Sequence, residues 1–305
     1  MASRSRPKCP PGFFRTVAGR ACFVGHDAVM TDRAAHRAAV ITALRAAGCV
    51  FAEDEARLLL QAVRDGAGDL ESLLARRVAG EPLEVVLGWA AFRGLRVGVR
   101  AGVFVPRQRT GFLVERAKEL LRAGDVVVDL CCGSGAVALA LAYEVPGVQV
   151  HAADIDPVAV DCARANLEGV GGAVYLGDLY DPLPAALRGR VAVLAVNAPY
   201  VPTGEVRLMP PEAREHESPI ALDGGPDGVS LHRRVALGAA RWLAPDGRLL
   251  IETGRRQASL TAAAVTAAGL GAVVRRARDG MTAVVVGGRT APPGPTHDPG
   301  SDHGQ

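Results

Sequence analysis

From residue 31 to residue 80 the apolar positions recur at helical spacing. Val40, Ile41 and Leu44 fall on one face before Gly48. Residues 53–64, EDEARLLLQAVR, open on acids, which suits a helix N-terminus. Leu70, Leu73 and Leu74 carry the pattern on to a C-cap at Gly80. The pattern predicts a small domain of three or four helices. The period then changes. FRGLRVGV (92–99) alternates Leu95, Val97 and Val99, as a strand of a connecting hairpin does. Further on, short continuous apolar runs at 126–131, 148–153, 191–196 and 248–251 are bounded by turn residues. Such runs predict strands buried on both faces of a parallel sheet, and helical stretches at 136–144, 157–168 and 230–243 separate them. Two last β-rich segments are split by Arg278-Asp279-Gly280, a hairpin signal.

The fold class this predicts is α/β: a mostly parallel, doubly wound sheet ending in an antiparallel hairpin, preceded by a small helical domain. The boundaries expected are a poorly ordered extension over 1–29, a helical domain over 30–90 and a hairpin linker over 91–112. The sheet domain follows over 113–288, with a disordered, proline-rich tail over 289–305. Met30, followed at once by Thr31-Asp32, is a candidate alternative start.

Composition changes this picture little. A net charge of +3 is too small to predict nucleic-acid binding by electrostatics, so a direct nucleic-acid partner is not expected. None of the six cysteines forms a C-x-x-C pair, and the vicinal Cys131-Cys132 pair is poor disulfide geometry. Free thiols in a reducing cytoplasm and no metal site are the expectation. No apolar run approaches the length of a membrane span, and none follows the basic N-terminus as a secretory core would.

The candidate chemistry lies in the sheet domain. VVVDLCCGSGAVALALA reads as strand, glycine-rich turn and helix, and Gly133 and Gly135 let backbone approach a ligand there. Asp154 ends the next strand, where an acid accepts hydrogen bonds from two ribose hydroxyls. Gly133, Gly135 and Ala138 also fit a dinucleotide fingerprint. Against NAD stands Asp129, inside the strand, which would repel a pyrophosphate but offset a sulfonium or an ammonium. A simple turn-capping role for Asp129 is the plain alternative. GDLYDPL (177–183) could set Asp178 and Leu179 against an adenine ring. S-adenosylmethionine is therefore the favoured cofactor.

The fourth strand ends in Asn197-Ala198-Pro199-Tyr200. An amide or aryl amine nitrogen is a poor nucleophile because its lone pair is delocalised. The Asn197 side-chain oxygen and the Ala198 carbonyl could accept its N–H groups and aim the lone pair at a methyl carbon. Pro199 stiffens the turn and Tyr200 covers the flat face of the acceptor. Catalysis by placement is expected, with Asn197 and Tyr200 as its agents.

These residues carry a resemblance. GEPLEVVLG (80–88), FRGLRVGVRAGVFVPRQRT (92–110), DLCCGSGAVALALA (129–142), GDLYDPL, VNAPY, EAREHESPIALDGGPDG (212–228) and LLIETG resemble, in order, the release-factor glutamine methyltransferases. The resemblance implies a class I, Rossmann-like methyltransferase domain and an N-terminal helical domain that contacts a protein substrate. It implies transfer of a methyl group to the glutamine of the Gly-Gly-Gln loop of a peptide-chain release factor. It further implies cofactor contacts from Cys131, Cys132, Gly133, Ser134 and Gly135, from Asp154, Leu179 and Asn197, with the glutamine held by Asn197 to Tyr200. Three departures mark a divergent branch. Ala198 replaces the first proline of Asn-Pro-Pro-Tyr, Cys131 replaces a glycine, and Pro106-Arg107-Gln108-Arg109-Thr110-Gly111 replaces Pro-Arg-Pro-x-Thr-Glu. The alternatives are methylation of an exocyclic amine in nucleic acid and a non-catalytic cofactor-binding module.

Overall fold

The computed structural model describes residues 26–278 and 280–289. In chain order the first elements are α1 (His26–Ala46), α2 (Ala52–Arg64), α3 (Leu70–Val78), α4 (Leu83–Leu87), β1 (Trp89–Phe92) and β2 (Leu95–Gly98). After α5 (Gly111–Lys118) come β3 (Val126–Leu130), α6 (Ala136–Glu144), β4 (Gln149–Asp154), α7 (Pro157–Leu167), β5 (Ala173–Leu176) and β6 (Val191–Val196). The chain closes with α8 (Pro211–His216), α9 (Ser230–Trp242), β7 (Leu243–Gly254), α10 (Ala258–Ala267), β8 (Gly271–Arg276) and β9 (Thr282–Gly288).

Two compact units divide between Arg57 and Leu58, inside α2 rather than at residue 90. In the first unit Val40, Leu44, Ala52 and Ala56 are buried, and Arg45 pairs with Glu53. Helix α1 begins at His26, within the stretch read as an extension. HDAVM contains neither glycine nor proline, so nothing stops the helix from running back past Thr31. The expectations for residues 1–25 and 290–305 fall outside the described residues.

In the second unit, Val85, Ala90, Val99 and Val105 form one buried cluster. That cluster ties α4 to the β1–β2 hairpin and to the chain entering the sheet, which is why no boundary falls at residue 90. The seven-stranded sheet has the order β5-β4-β3-β6-β7-β9-β8. Strands β3 to β7 are mutually parallel where they pair, and β9 runs antiparallel to both β7 and β8. All five residues of β3 are buried, as the unbroken VVVDL run requires of a strand covered on both faces. Val127 belongs to one core layer with Leu113, Leu141 and Phe92. Val126, Val128 and Leu130 belong to the other, with Leu194 and Trp242. Strand order reverses direction between β3 and β6, so their carboxyl ends open a crevice at the switch point.

Candidate active site

One wall of the crevice is backbone. Beyond β3 the chain turns through Cys131 at φ +56°, Gly133 at +54° and Gly135 at +75°. A Cβ on Gly135 would come within 3.2 Å of Ala163 Cβ, so only glycine lets α6 start this close to α7. Cys131 adopts the left-handed conformation with a side chain, at a cost of about 1–2 kcal/mol. Asn166, on α7, holds the turn from behind. Its Nδ2 donates to the Ser134 carbonyl and to the Gly98 carbonyl, each at 2.8 Å, while its Oδ1 accepts the Gly98 N–H at 2.8 Å. Nothing in the sequence pattern singles out Asn166, because its partners lie on the hairpin and on the turn.

The two acids of this wall are held differently. Asp129 is 1% exposed, and its Oδ2 accepts the Ala138 N–H at 3.1 Å. Gly135, the N-cap of α6, has no side chain to cap that helix, so Asp129 supplies the cap from the strand. The capping role and a place on the cavity wall therefore coexist. Burial pushes the Asp129 carboxyl up to about 7, with the Asp154 charge adding to the shift. Asp154 accepts the Gly133 N–H at 2.8 Å on Oδ2 and the Asp156 N–H at 3.0 Å on Oδ1. Each oxygen keeps a further acceptor site. Leu179 is nearly buried at φ +47°, and the neighbouring Asp178 is drawn to Arg234 at 2.6 Å.

The opposite wall starts at the carboxyl end of β6. Asn197 donates from Nδ2 to Thr110 Oγ1 at 3.3 Å, and the Thr110 hydroxyl donates to Glu252 Oε1 at 3.3 Å. Thr110 is 4% exposed and Glu252 1% exposed. Arg109 Nε lies 3.8 Å from Glu252 Oε1. Burial pushes the Tyr200 pKa up; the Glu252 charge adds to this and Arg109 opposes it. Ala198 is buried. The backbone of Pro199 and Tyr200 is backed by the 222–228 turn: a Cβ on Gly224 would meet Tyr200 Cα at 2.7 Å and Pro199 O at 2.8 Å. That close approach accounts for Gly224 and Gly228 of LDGGPDG.

One cavity of about 380 Å³ joins the two walls. Asp129, Cys131 to Ser134, Asp154, Asp178, Leu179 and Asn197 to Tyr200 all line it. Gly135, at the end of the turn, packs α6 against α7. Sequence reasoning passed over Thr110 and Glu252, whose partners are distant in the chain. At the end of EAREHE, Glu217 is 4% exposed and takes Arg107 at 2.6 Å and the Val105 N–H at 3.2 Å on one oxygen. His232 is fully buried with Nδ1 2.9 Å from Thr261 Oγ1, and burial pushes its pKa down to about 4. Among the described residues no cluster of His, Cys, Asp or Glu converges as a metal site. No described helix is long and apolar enough to cross a membrane.

Residues 95–208 match the family model of the methyltransferase small domain. A release factor glutamine methyltransferase of Streptomyces coelicolor is 44% identical over 184 residues, covering 59% of this chain and 65% of that protein. The match thus spans just under two thirds of that relative's length. A release factor glutamine methyltransferase of Bradyrhizobium diazoefficiens is 37% identical over 70% of this chain and 73% of its own length. The chain belongs to the release factor glutamine methyltransferase family. A further relative, from Streptomyces pristinaespiralis, is 36% identical over 71% of this chain and 80% of its own length. It is named a 4-amino-L-phenylalanine/4-methylamino-L-phenylalanine methyltransferase. A crystal structure of a methyltransferase from Pyrococcus furiosus shares the fold, at a TM-score of 0.50 and 15% identity over 71% of this chain and 98% of that one.

The fold of this methyltransferase is class I, and its cofactor is S-adenosylmethionine. The donor set suits that molecule. Asp154 and Asp129 both line the cavity and bring acceptor oxygens, which suit the hydroxyls and the positive end of that molecule. The cavity falls within the size range of small-molecule sites, roughly 300–1,000 Å³.

Proposed function

We propose that this chain transfers a methyl group from S-adenosylmethionine to the side-chain amide of a glutamine in a protein. The substrate is the Gly-Gly-Gln loop of a peptide-chain release factor, which places the enzyme in the cytoplasm and in translation termination. The observation that carries this reading is the single cavity shared by the glycine-rich turn with Asp154 and by Asn197 to Tyr200. Cofactor and acceptor nitrogen then meet without further rearrangement of the chain.

When bound, the cofactor supplies a methyl group already activated by its sulfonium. The work of the protein is placement. Cys131 to Ser134 would border the cofactor, and Asp154 would hold its ribose hydroxyls. Leu179 would pack on the adenine, beside Asp178, which pairs with Arg234. Asp129 faces the positive end, and that charge favours its ionised form. Asn197 Oδ1 and the Ala198 carbonyl accept the two N–H groups of the acceptor amide. Those bonds turn its lone pair toward the methyl carbon, and Pro199 and Tyr200 bound its flat face. Once it has received the methyl group, the acceptor nitrogen would be cationic and would release its proton to solvent. No strong base is required.

The test is transfer of labelled methyl to purified release factor, beside a loop Gln→Ala variant. Label on the normal protein and none on the variant supports the reading; label on both assigns the transfer to another residue.

A second reading is favoured by the Streptomyces pristinaespiralis relative, which is matched over more of its length than the Streptomyces coelicolor one. Under it the acceptor is an aryl amine on a free amino acid. Arg107 and Arg109 line a second cavity of about 300 Å³, and a free carboxylate there would compete with Glu217 for Arg107. Label on 4-amino-L-phenylalanine and none on release factor would select that reading.

A further inference from the structure

An asparagine amide has two unlike ends, and methyl transfer needs one of them. If Asn197 accepts the acceptor's N–H, its oxygen must face the acceptor. A nitrogen there would meet the N–H as donor against donor. Nothing within Asn197 decides between the two orientations, because they are nearly equal in shape.

The decision comes from two buried residues. Glu252 follows Ile251, which pairs with Val196 in the parallel β6–β7 ladder, so Glu252 stands beside Asn197 at the carboxyl ends of adjacent strands. Thr110 arrives from a 3₁₀ turn, Gln108–Thr110, and sits between them. A carboxylate only accepts hydrogen bonds, and a threonine hydroxyl has a single hydrogen. The 3.3 Å contact with Glu252 Oε1 takes that hydrogen. Toward Asn197 the hydroxyl then presents lone pairs, which accept only from Nδ2, also at 3.3 Å. Both residues of this relay are nearly fully buried, Glu252 at 1% and Thr110 at 4% exposure, which favours the hydrogen bond between them. Among the described residues no group donates to Asn197 Oδ1.

We propose that Thr110 and Glu252 are positioning residues for methyl transfer: their consecutive hydrogen bonds set which end of the Asn197 amide faces the acceptor nitrogen. The inference rests on the reading of Asn197 as acceptor of the substrate N–H. Glu252 touches neither substrate nor cofactor in this arrangement, and acts through Thr110.

Glu252→Gln tests it most directly. A glutamine can donate to the Thr110 oxygen, which frees the Thr110 hydrogen to bond Asn197 and favours the reversed amide. The expected result is a fall in kcat of about a hundredfold, the scale of one misaligned hydrogen bond in a transition state. Cofactor affinity, measured by calorimetry, stays within about threefold, because the relay lies on the acceptor wall. Thr110→Val, which has no acceptor, loses a similar factor, and Thr110→Ser, which keeps the hydroxyl, recovers most of it. The double variant Thr110→Val with Glu252→Gln is no slower than either single one, since both break the same relay. Independently of turnover, the Asn197 side-chain amide resonance in ¹H–¹⁵N spectra shifts in Glu252→Gln and Thr110→Val but not in Thr110→Ser. Should Glu252→Gln fail to fold, the valine and serine variants at residue 110 carry the same test.

An Asn197 resonance indifferent to Thr110→Val, or unchanged kcat in that variant, overturns the proposal. Additive losses in the double variant do so as well. A wild-type enzyme that labels no release factor, with the resonance responding as expected, overturns the glutamine reading and leaves the amide relay standing.

Discussion

The two walls of the cavity are built by different means. The cofactor wall is local: Asp129, the turn from Cys131 to Gly135 and α6 are one continuous stretch, and Asp154 ends the adjacent strand. Its polar atoms are engaged mostly by backbone N–H groups, from Ala138, Gly133 and Asp156. The acceptor wall is assembled from distant pieces: Thr110 from a 3₁₀ turn, Asn197 from the end of β6, Gly224 from a loop and Glu252 from β7. Its polar atoms are engaged mostly by other side chains. A wall of backbone contacts tolerates changes of side chain, as Cys131 in a left-handed position shows. A wall of side-chain contacts does not, because each member defines the donor or acceptor role of the next.

The largest effect should separate the walls outright. Asn197→Ala is expected to lower methyl transfer by at least about a hundredfold, while cofactor affinity stays near that of the wild type. Single-turnover kinetics beside calorimetry checks both halves, and a matching loss of cofactor affinity would show that the walls are one unit.

Asp154→Ala should act on the other wall. It removes the acceptors for a ribose and strands two backbone N–H groups. Cofactor affinity is expected to fall about tenfold to a hundredfold, from hydrogen bonds to a charged group worth about 1.5–3 kcal/mol. The melting temperature falls too, and a loss confined to kcat would contradict the assignment.

A smaller effect sharpens the picture of Asp129. Its carboxyl, raised to about 7 by burial, is largely protonated in the free protein below neutrality. A cationic ligand binds the ionised form better, so cofactor affinity should strengthen severalfold as pH rises from about 6 to about 8. The stability of the free protein moves the opposite way. Because the folded-state pKa lies above the ordinary value of 3.8, this contribution is fully present below that value and is lost as pH rises through about 7. Asp129→Asn should flatten the affinity profile, and a profile equally steep in that variant would remove Asp129 from the cofactor site.

The smallest effect is a gain. Cys131→Gly relieves a side chain held at φ +56° and should stabilise the fold by about 1–2 kcal/mol, less the entropy glycine adds to the unfolded chain. Thermal unfolding measures it. A lowered melting temperature would mean that the Cys131 side chain contributes more by packing than its backbone conformation costs.

Much of this molecule is legible without coordinates. The unbroken runs over 126–131 and 191–196 announce strands covered on both faces, and both are strands with buried residues. The helix expected over 136–144 is α6, and the glycine-rich turn before it sits at the switch point. What is not legible is chemistry whose partner is remote. Nothing local marks Glu217 as buried, because Arg107 is 110 residues away in the chain. Nothing local marks His232 either, whose partner Thr261 comes from α10. Asp129 offered two readings, ligand group or turn cap, and only the strand and helix placed side by side show one residue capping α6 while lining the cavity.

By itself the sequence determined the elements, the fold class and the position of the glycine-rich turn, because these depend on periodicity and on short-range turn chemistry. Only the tertiary structure decided how the acceptor wall is organised: that Thr110 stands between Asn197 and Glu252, and which end of the amide is thereby turned away from it. The reason is physical. Hydrogen-bond direction depends on which donor meets which acceptor, and for residues separated by 87 and 142 positions that pairing exists only after the strands have been laid side by side.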